Sequence, residues 1–372
     1  MTAAFAYAHA AGNEWPEIAK SCVQQLDGRL EGANLGFLYV TDALADDLPS
    51  VLTFLRQTLD VEDWSGTIGL GICAGAAEYH DRPAAAVMLC RFPQGAYRVF
   101  PALRRGIGDL PAAARAWADA GAAPFAVVHG DPYNNRLAEI LEETASAYSS
   151  FLVGGLTASR GVSCQVAGGI TAGGLSGVMF GPEVQVATGL SQGCAPVGEP
   201  RMVTEAEANV IISIDGDPAL EVMKRDIGEL LARNLSRVAG YIHAAFPVPG
   251  SDTRDYLVRS LVGIDPDRGW VAVGGQVAPG DRIMFVRRDP RAAEQDLAAM
   301  IDGLKARLPS APQGGLYFSC VARGPGMFGA PGREMAIITE RLGGFPLVGF
   351  YGNGEISNAR LYGYTGVLAL FL

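Results

Sequence analysis

Nothing in the 372-residue chain approaches the roughly 18 to 20 consecutive apolar residues that a membrane-spanning helix needs. Clustered cations are also missing. The pairs Arg104–Arg105 and Arg287–Arg288 stand alone, and 29 Lys and Arg against 39 Asp and Glu leave a formal net charge of −10. Phosphate binding rests on grouped Lys and Arg, so no nucleic acid and no membrane is expected as a partner. Cys22, Cys73, Cys90, Cys164, Cys194 and Cys320 fall at no C-x-x-C spacing and mostly inside apolar runs, as buried free thiols do in a reducing cytoplasm. His9, His80, His129 and His243 lie far apart with no H-x-x-x-H pair, so no metal centre is expected. A G-x-x-x-x-G-K-[ST] loop is absent. The opening "MTAAFAYAHAAGNEW" has no basic segment, and its apolar part alternates like a strand, which argues against a signal peptide.

What remains is a chain that is 49% hydrophobic and 18% charged, the composition of a compact protein of about two domains. Apolar residues at helical spacing predict helices over 13–26 and 48–59, with strands over 34–42, 66–75 and 84–92. A second alternation follows, with helices near 110–120 and 135–147 and strands near 124–129 and 150–155. From about 160 to 215 glycine interleaves with Val, Ile, Met and Phe, which predicts antiparallel strands joined by tight turns. A helix is expected over 215–235, with Asp217 as N-cap and Pro218 at its first position. A domain boundary is placed just before it, giving domains 1–215 and 216–372. Further strands are expected near 240–246, 256–264, 270–274 and 282–287, and a helix over 290–308.

The region "GGLYFSCVARGPGMFGAPGREMAIITERLGGFPLVGFYGNGEIS" (314–357) reads as a second copy of an earlier one. Gly36 opens a strand, a helix follows, and the next strand ends at Gly75. Gly315 and Gly354 bracket a similar strand, crossover and strand, the pattern of neighbouring parallel strands. The expected fold class is therefore α/β: two related mixed halves with strand-helix-strand units, a glycine-rich antiparallel section, and sheets packed together.

Three chemistries are weighed on these residues. "GLGICA" (69–74) satisfies G-x-G-x-x-A, but Asp81-Arg82-Pro83 stops any helix from opening there, so no dinucleotide or other cofactor is expected. Cys320 ends a strand with Arg323 nearby to favour a thiolate, the basis of an alternative as a cysteine hydrolase or transferase. Its base would have to come from His129 or His243. Arg323 and Glu355 each follow the carboxyl end of one of two strands expected to be parallel neighbours, where open α/β sheets bind ligands. A forked guanidinium and a carboxylate can grip a zwitterion such as an amino acid. Ser319, Cys320, Arg323, Asn353 and Glu355 form the candidate ligand cluster. Gly154 and Gly155, after "SFLV", resemble a similar site in the first half, and glycines there permit close backbone approach.

"LYFSCVARG" followed by "FPLVGFYGNGEIS", together with "DYLVRSLVGIDPDRGWVAVGGQVAPGDRIMFVRRD" (255–289), resembles the FIST C-terminal domain. "IGLGICAGA", "FLVGGLTA" and "VTEAEANVIISIDGDPALEV" resemble the FIST N-terminal domain. The resemblance spans about 30–372 and implies a sensory or ligand-binding module for small molecules such as amino acids; with the cysteine pattern, the expectation is a cytoplasmic sensor whose partners are a small-molecule ligand and a signalling protein. Arg259 and Asp215 lie in family-like motifs and join the candidates. Ala74 departs from the pattern, standing where bacterial members often carry Ser. The family supplies no catalytic residues to transfer.

Overall fold

The computed structural model describes residues 4–121, 123–229, 235, 238, 240–249 and 255–372. The chain divides into two compact units, 1–191 with 294–372, and 192–293. The second unit interrupts the sequence of the first between residues 191 and 294.

The larger unit repeats one element order three times. The first repeat runs β1 (Ala4–Ala11), α1 (Trp15–Leu26), β2 (Leu35–Thr41), α2 (Leu48–Leu59), β3 (Asp63–Gly69), hairpin β4 (Gly71–Ala74) and β5 (Ala77–His80), and β6 (Ala84–Arg91). The second runs β7 (Tyr97–Leu103), α3 (Ala112–Gly121), β8 (Phe125–Gly130), α4 (Leu137–Tyr148), β9 (Phe151–Leu156), hairpin β10 (Gln165–Ala167) and β11 (Gly169–Thr171), and β12 (Leu175–Phe180). The third opens with β13 (Val186–Gln192) and is then interrupted. The interruption carries β14 (Cys194–Pro196), β15 (Arg201–Glu207), β16 (Val210–Ile214), β17 (Asp217–Pro218), α5 (Ala219–Ile227), β18 (Ile242–Pro247), β19 (Tyr256–Asp265), β20 (Trp270–Val273) and β21 (Arg282–Arg288). The third repeat resumes with α6 (Pro290–Lys305), β22 (Gly314–Cys320), α7 (Gly324–Phe328), α8 (Arg333–Leu342), β23 (Leu347–Gly352), hairpin β24 (Glu355–Ser357) and β25 (Arg360–Tyr362), and β26 (Thr365–Phe371).

The repeats give three six-stranded sheets of matching order: β1-β6-β2-β3-β10-β11, β7-β12-β8-β9-β24-β25 and β13-β26-β22-β23-β4-β5. In each, a parallel pair forms the centre and an antiparallel strand flanks it on either side. Every hairpin leaves its own repeat and completes a neighbouring sheet. The three sheets therefore interlock, and the expectation of two related halves gives way to three copies.

One face of each sheet contributes to a shared core that includes Phe37, Tyr39, Val127, Val153, Leu316, Phe318 and Phe350. The other faces of the first two sheets pack under helices. Leu38, Val40 and Ile68 meet Leu48, Val51 and Leu55 of α2, and Val128 and Leu156 meet Ile140 and Leu141 of α4. Alternation along a strand fixes this division, since successive side chains point to opposite faces.

The inserted unit is a separate antiparallel sheet that closes on itself, because β21 pairs with β14, β15 and β18. Its core includes Val203, Ile211, Leu220, Met223, Ile242, Val271 and Phe285.

Several expectations shift. The single strand expected over 66–75 breaks at Leu70, because β3 and β4 belong to different sheets and the Leu70 N–H bonds Tyr351 carbonyl instead. Asp217 and Pro218 do not cap and open α5 as expected; they pair with Ile214 and Ser213, and the helix begins at Ala219. The later part of that expected helix, 230–234, lies outside the described residues.

Candidate ligand site

Equivalent positions in the three sheets follow from strand register. Leu38 faces Gly66, Val128 faces Gly154 and Tyr317 faces Gly349; two residues on, Val40 faces Ile68, Gly130 faces Leu156 and Ser319 faces Tyr351. On the flanking hairpins Val166 faces Gly66, Ile356 faces Gly154 and Cys73 faces Gly349. Their hairpin partners are Ile170, Leu361 and Glu78. The helix-covered faces of the first two sheets are thus apolar. At the same places the third sheet carries Tyr317, Ser319, Tyr351, Cys73 and Glu78. Packing three equivalent faces requires no such polarity in one of them.

Glu334, in the first turn of α8, is the hub of this face and is fully buried. Its Oε1 accepts from Tyr317 Oη at 2.7 Å, Ser319 Oγ at 3.0 Å and Arg323 Nε at 2.8 Å, and its Oε2 accepts from the Gly324 N–H at 3.1 Å. Arg323 is 2% exposed, and its terminal nitrogens make only long bonds to Ser191 Oγ at 3.3 Å and Ser191 carbonyl at 3.5 Å. Phe328 lies beneath the guanidinium, 5.0 Å from it. Burial works against the charge on Arg323, yet the Glu334 carboxylate holds it above its usual value. Burial, then Glu334, keeps the Tyr317 phenol well above the ordinary tyrosine range, so it donates as a neutral hydroxyl. Beside this hub, His80 Nε2 stands 3.5 Å from Glu78 Oε2, and the His80 ring packs on Tyr351 with centroids 4.6 Å apart.

A second cluster occupies the strand tips. Glu355 Oε2 accepts from Thr365 Oγ1 at 2.7 Å and Thr365 N–H at 3.2 Å, while its Oε1 has no partner among the described residues. Burial pushes the Glu355 carboxyl up to about 8 against the pull of Thr365 and Arg323, so it is mainly protonated at neutral pH. Cys320 lies beside it. Burial, then Glu355, pushes the thiol up to about 12 despite bonds from the backbone of Ala322 and Tyr364. Tyr364 holds φ at 63°, where the matching residue of the second repeat is Gly173 at 82°. An aromatic residue in that region is uncommon and strained.

The expected site residues separate accordingly. Ser319 and Arg323 meet, but through Glu334. Arg323 and Glu355 influence each other electrostatically and share no bond. Their partners are Glu334 and Thr365, so they do not form the expected open clamp. Asn353 is exposed on the turn before β24. Gly154 and Gly155 lie in β9 and let strands approach: a Cβ on Gly154 would stand 1.7 Å from Val128 carbonyl, and one on Gly155 3.0 Å from the Phe350 ring. Arg259 and Asp215 belong to the inserted unit, Arg259 in β19 and Asp215 in a turn with φ 50° whose carboxylate accepts the Met202 N–H. His129 is no base for Cys320. It is buried in the shared core on Tyr39 Oη at 3.2 Å and Ser65 Oγ at 3.5 Å, and burial pushes it down to about 3. Glu334, Tyr317, Tyr351, Glu78 and His80 escaped the sequence reading. One signal was available, since Glu334 falls on the same helix face as buried Ile338.

Family models match this chain as a FIST N domain over residues 34–217 and a FIST C domain over 219–358. The chain belongs to the FIST family. It is 32% identical over 345 residues to the uncharacterized protein Rv0628c of Mycobacterium tuberculosis, covering 88% of each chain. It is 30% identical over 373 residues to the uncharacterized protein Mb0898c of Mycobacterium bovis, covering 96% of this chain and 94% of the relative. FIST domains are generally regarded as small-ligand sensor domains. Among the described residues of this FIST protein, no helix is long and apolar enough to cross a membrane.

Proposed function

We propose that this FIST protein is a cytoplasmic small-ligand sensor for amino acids or similar small metabolites, with its ligand taken up on the polar face of the third sheet and its output passed to a signalling partner. One observation carries the reading: of three equivalent sheet faces, two are apolar and one holds Tyr317, Ser319, Arg323, Glu334, Tyr351 and Glu78. Burying an ion pair and three hydroxyls where sister repeats bury Leu, Val and Ile sacrifices stability that apolar packing would supply, and such losses concentrate at functional sites. Each terminal nitrogen of Arg323 keeps a second N–H beyond its long bond to Ser191. Glu355 and Cys320, at the adjoining strand tips, are neutral hydrogen-bonding groups beside this face.

Cysteine catalysis by Cys320 has less support. Cys320 is 7% exposed with its thiol held protonated, and Glu355 beside it is itself mainly protonated at neutral pH. Thermal denaturation of dialysed protein against amino acids and small metabolites tests the sensor reading. A ligand at a hundredfold above its Kd should add about 2.7 kcal/mol of stability. A panel that leaves the melting point unmoved, on protein shown by mass spectrometry to carry no copurified molecule, would refute it.

A further inference from the structure

Three polar atoms on the polar face of the third sheet are fully buried and have no hydrogen-bond partner among the described residues: Tyr351 Oη, Glu78 Oε2 and His80 Nε2. Their side chains pack together although two repeats supply them. Tyr351 comes from β23 of the third repeat, and Glu78 and His80 from the hairpin that the first repeat lends to this sheet. His80 Nε2 lies 3.5 Å from Glu78 Oε2, the imidazole packs on the Tyr351 ring, and burial, then Glu334 and Glu78, hold the Tyr351 phenol well above the ordinary tyrosine range. Two glycines make room for this arrangement. A Cβ on Gly71 would stand 2.4 Å from His80 Nδ1 and 3.1 Å from the Tyr351 ring, and one on Gly324 would stand 3.3 Å and 3.4 Å from the same two rings.

Buried polar atoms are bonded in nearly all folded proteins, so three orphans side by side imply a guest that bonds them. We infer, on the basis of the sensor reading above, that they form the seat of a primary ammonium head. Such a head has three donors and no acceptor. The Glu78 carboxylate, the Tyr351 hydroxyl oxygen and the imidazole Nε2 supply one acceptor each when His80 carries its proton on Nδ1. The chemistry is also right: Glu78 is an acid whose side chain has no exposed surface, and Glu334, which acts on the same Tyr351 phenol, already has Arg323. A carboxylate or phosphate head would meet Glu78 repulsively. Glu78 has no exposed side-chain surface and His80 is 26% exposed at its side chain, so the head enters past His80.

The test compares matched probes on the full dialysed chain by calorimetry and thermal shift: alanine against lactate, and butylamine against butanol. The ammonium member of each pair should bind at least about tenfold more tightly. Tyr351→Phe, which keeps the ring, should weaken the amines about tenfold and Glu78→Gln more, with the alcohols and hydroxy acids unaffected. Equal binding of alanine and lactate, or amine binding that survives both substitutions, overturns the ammonium seat and leaves the sensor reading standing. So does a screen in which only amine-free metabolites bind. A screen in which nothing binds removes both. A water filling the seat predicts no preference within either pair, which likewise counts against the inference.

Discussion

Glu355 shows how one residue departs from its sister. By register it corresponds to Gln165, and each sits on the hairpin strand that flanks the central parallel pair of its sheet, facing Gly155 and Thr67 respectively. Gln165 bonds Thr157, Ser176 and Gly174 carbonyl. Glu355 has only Thr365 and, held protonated, behaves as an approximate copy of that glutamine. Its raised value has a sign that can be worked out. Between pH of about 4.5 and about 8 the folded protein keeps a proton that the unfolded chain has released, so the folded state loses stability as pH rises, by at most about 1.4 kcal/mol per pH unit. Glu355→Gln removes this titration. Urea unfolding at pH 5, 6.5 and 8.5 should show the variant gaining on the wild type across that window; parallel curves would mean that Glu355 titrates normally. Arg323 and Glu355 were legible as strand-tip residues. Glu334 was not, because an acid in the first turn of a helix reads as an ordinary solvent-facing group, and only the packing of α8 on the sheet buries it.

At the scale of elements, each parallel pair depends on one glycine. A Cβ on Gly66, Gly154 or Gly349 would stand 1.8, 1.7 and 1.7 Å from the carbonyl of Leu38, Val128 and Tyr317 on the paired strand. Alanine at any of the three should cost more than about 3 kcal/mol, beyond the usual overpacking penalty. Gly303→Ala is the contrast. It lies inside α6 with nothing within 4 Å of the added methyl, and should gain up to about 1 kcal/mol. Denaturant midpoints for the four variants decide this, and three mild losses would show that the strands simply separate. The first and third copies were visible in sequence because Gly36 and Gly315 occupy the same place in β2 and β22. The likeness of Gly75 to Gly354 was coincidental, since Gly75 follows β4 and Gly354 precedes β24. The second copy hid because β8 has Ala126 at that place.

For the whole molecule, the insertion of 192–293 between β13 and β22 is the main architectural event. A sheet that closes on itself leaves few open edges and encloses its own core. The fragment 192–293 should therefore fold alone, giving a β-type circular dichroism spectrum and a cooperative melt. A random-coil spectrum would show that it needs the rest of the chain.

Sequence by itself determined most helices and strands, the α/β class and the family, because hydrophobic period and glycine punctuation are local properties of the chain. Only the tertiary structure decided that the larger unit is threefold, that hairpins are exchanged among its sheets, and that Glu78 and His80 from the first repeat meet Tyr351 from the third. Those meetings are set by strand pairing between segments more than 250 residues apart, and no local pattern encodes which edge a hairpin will join.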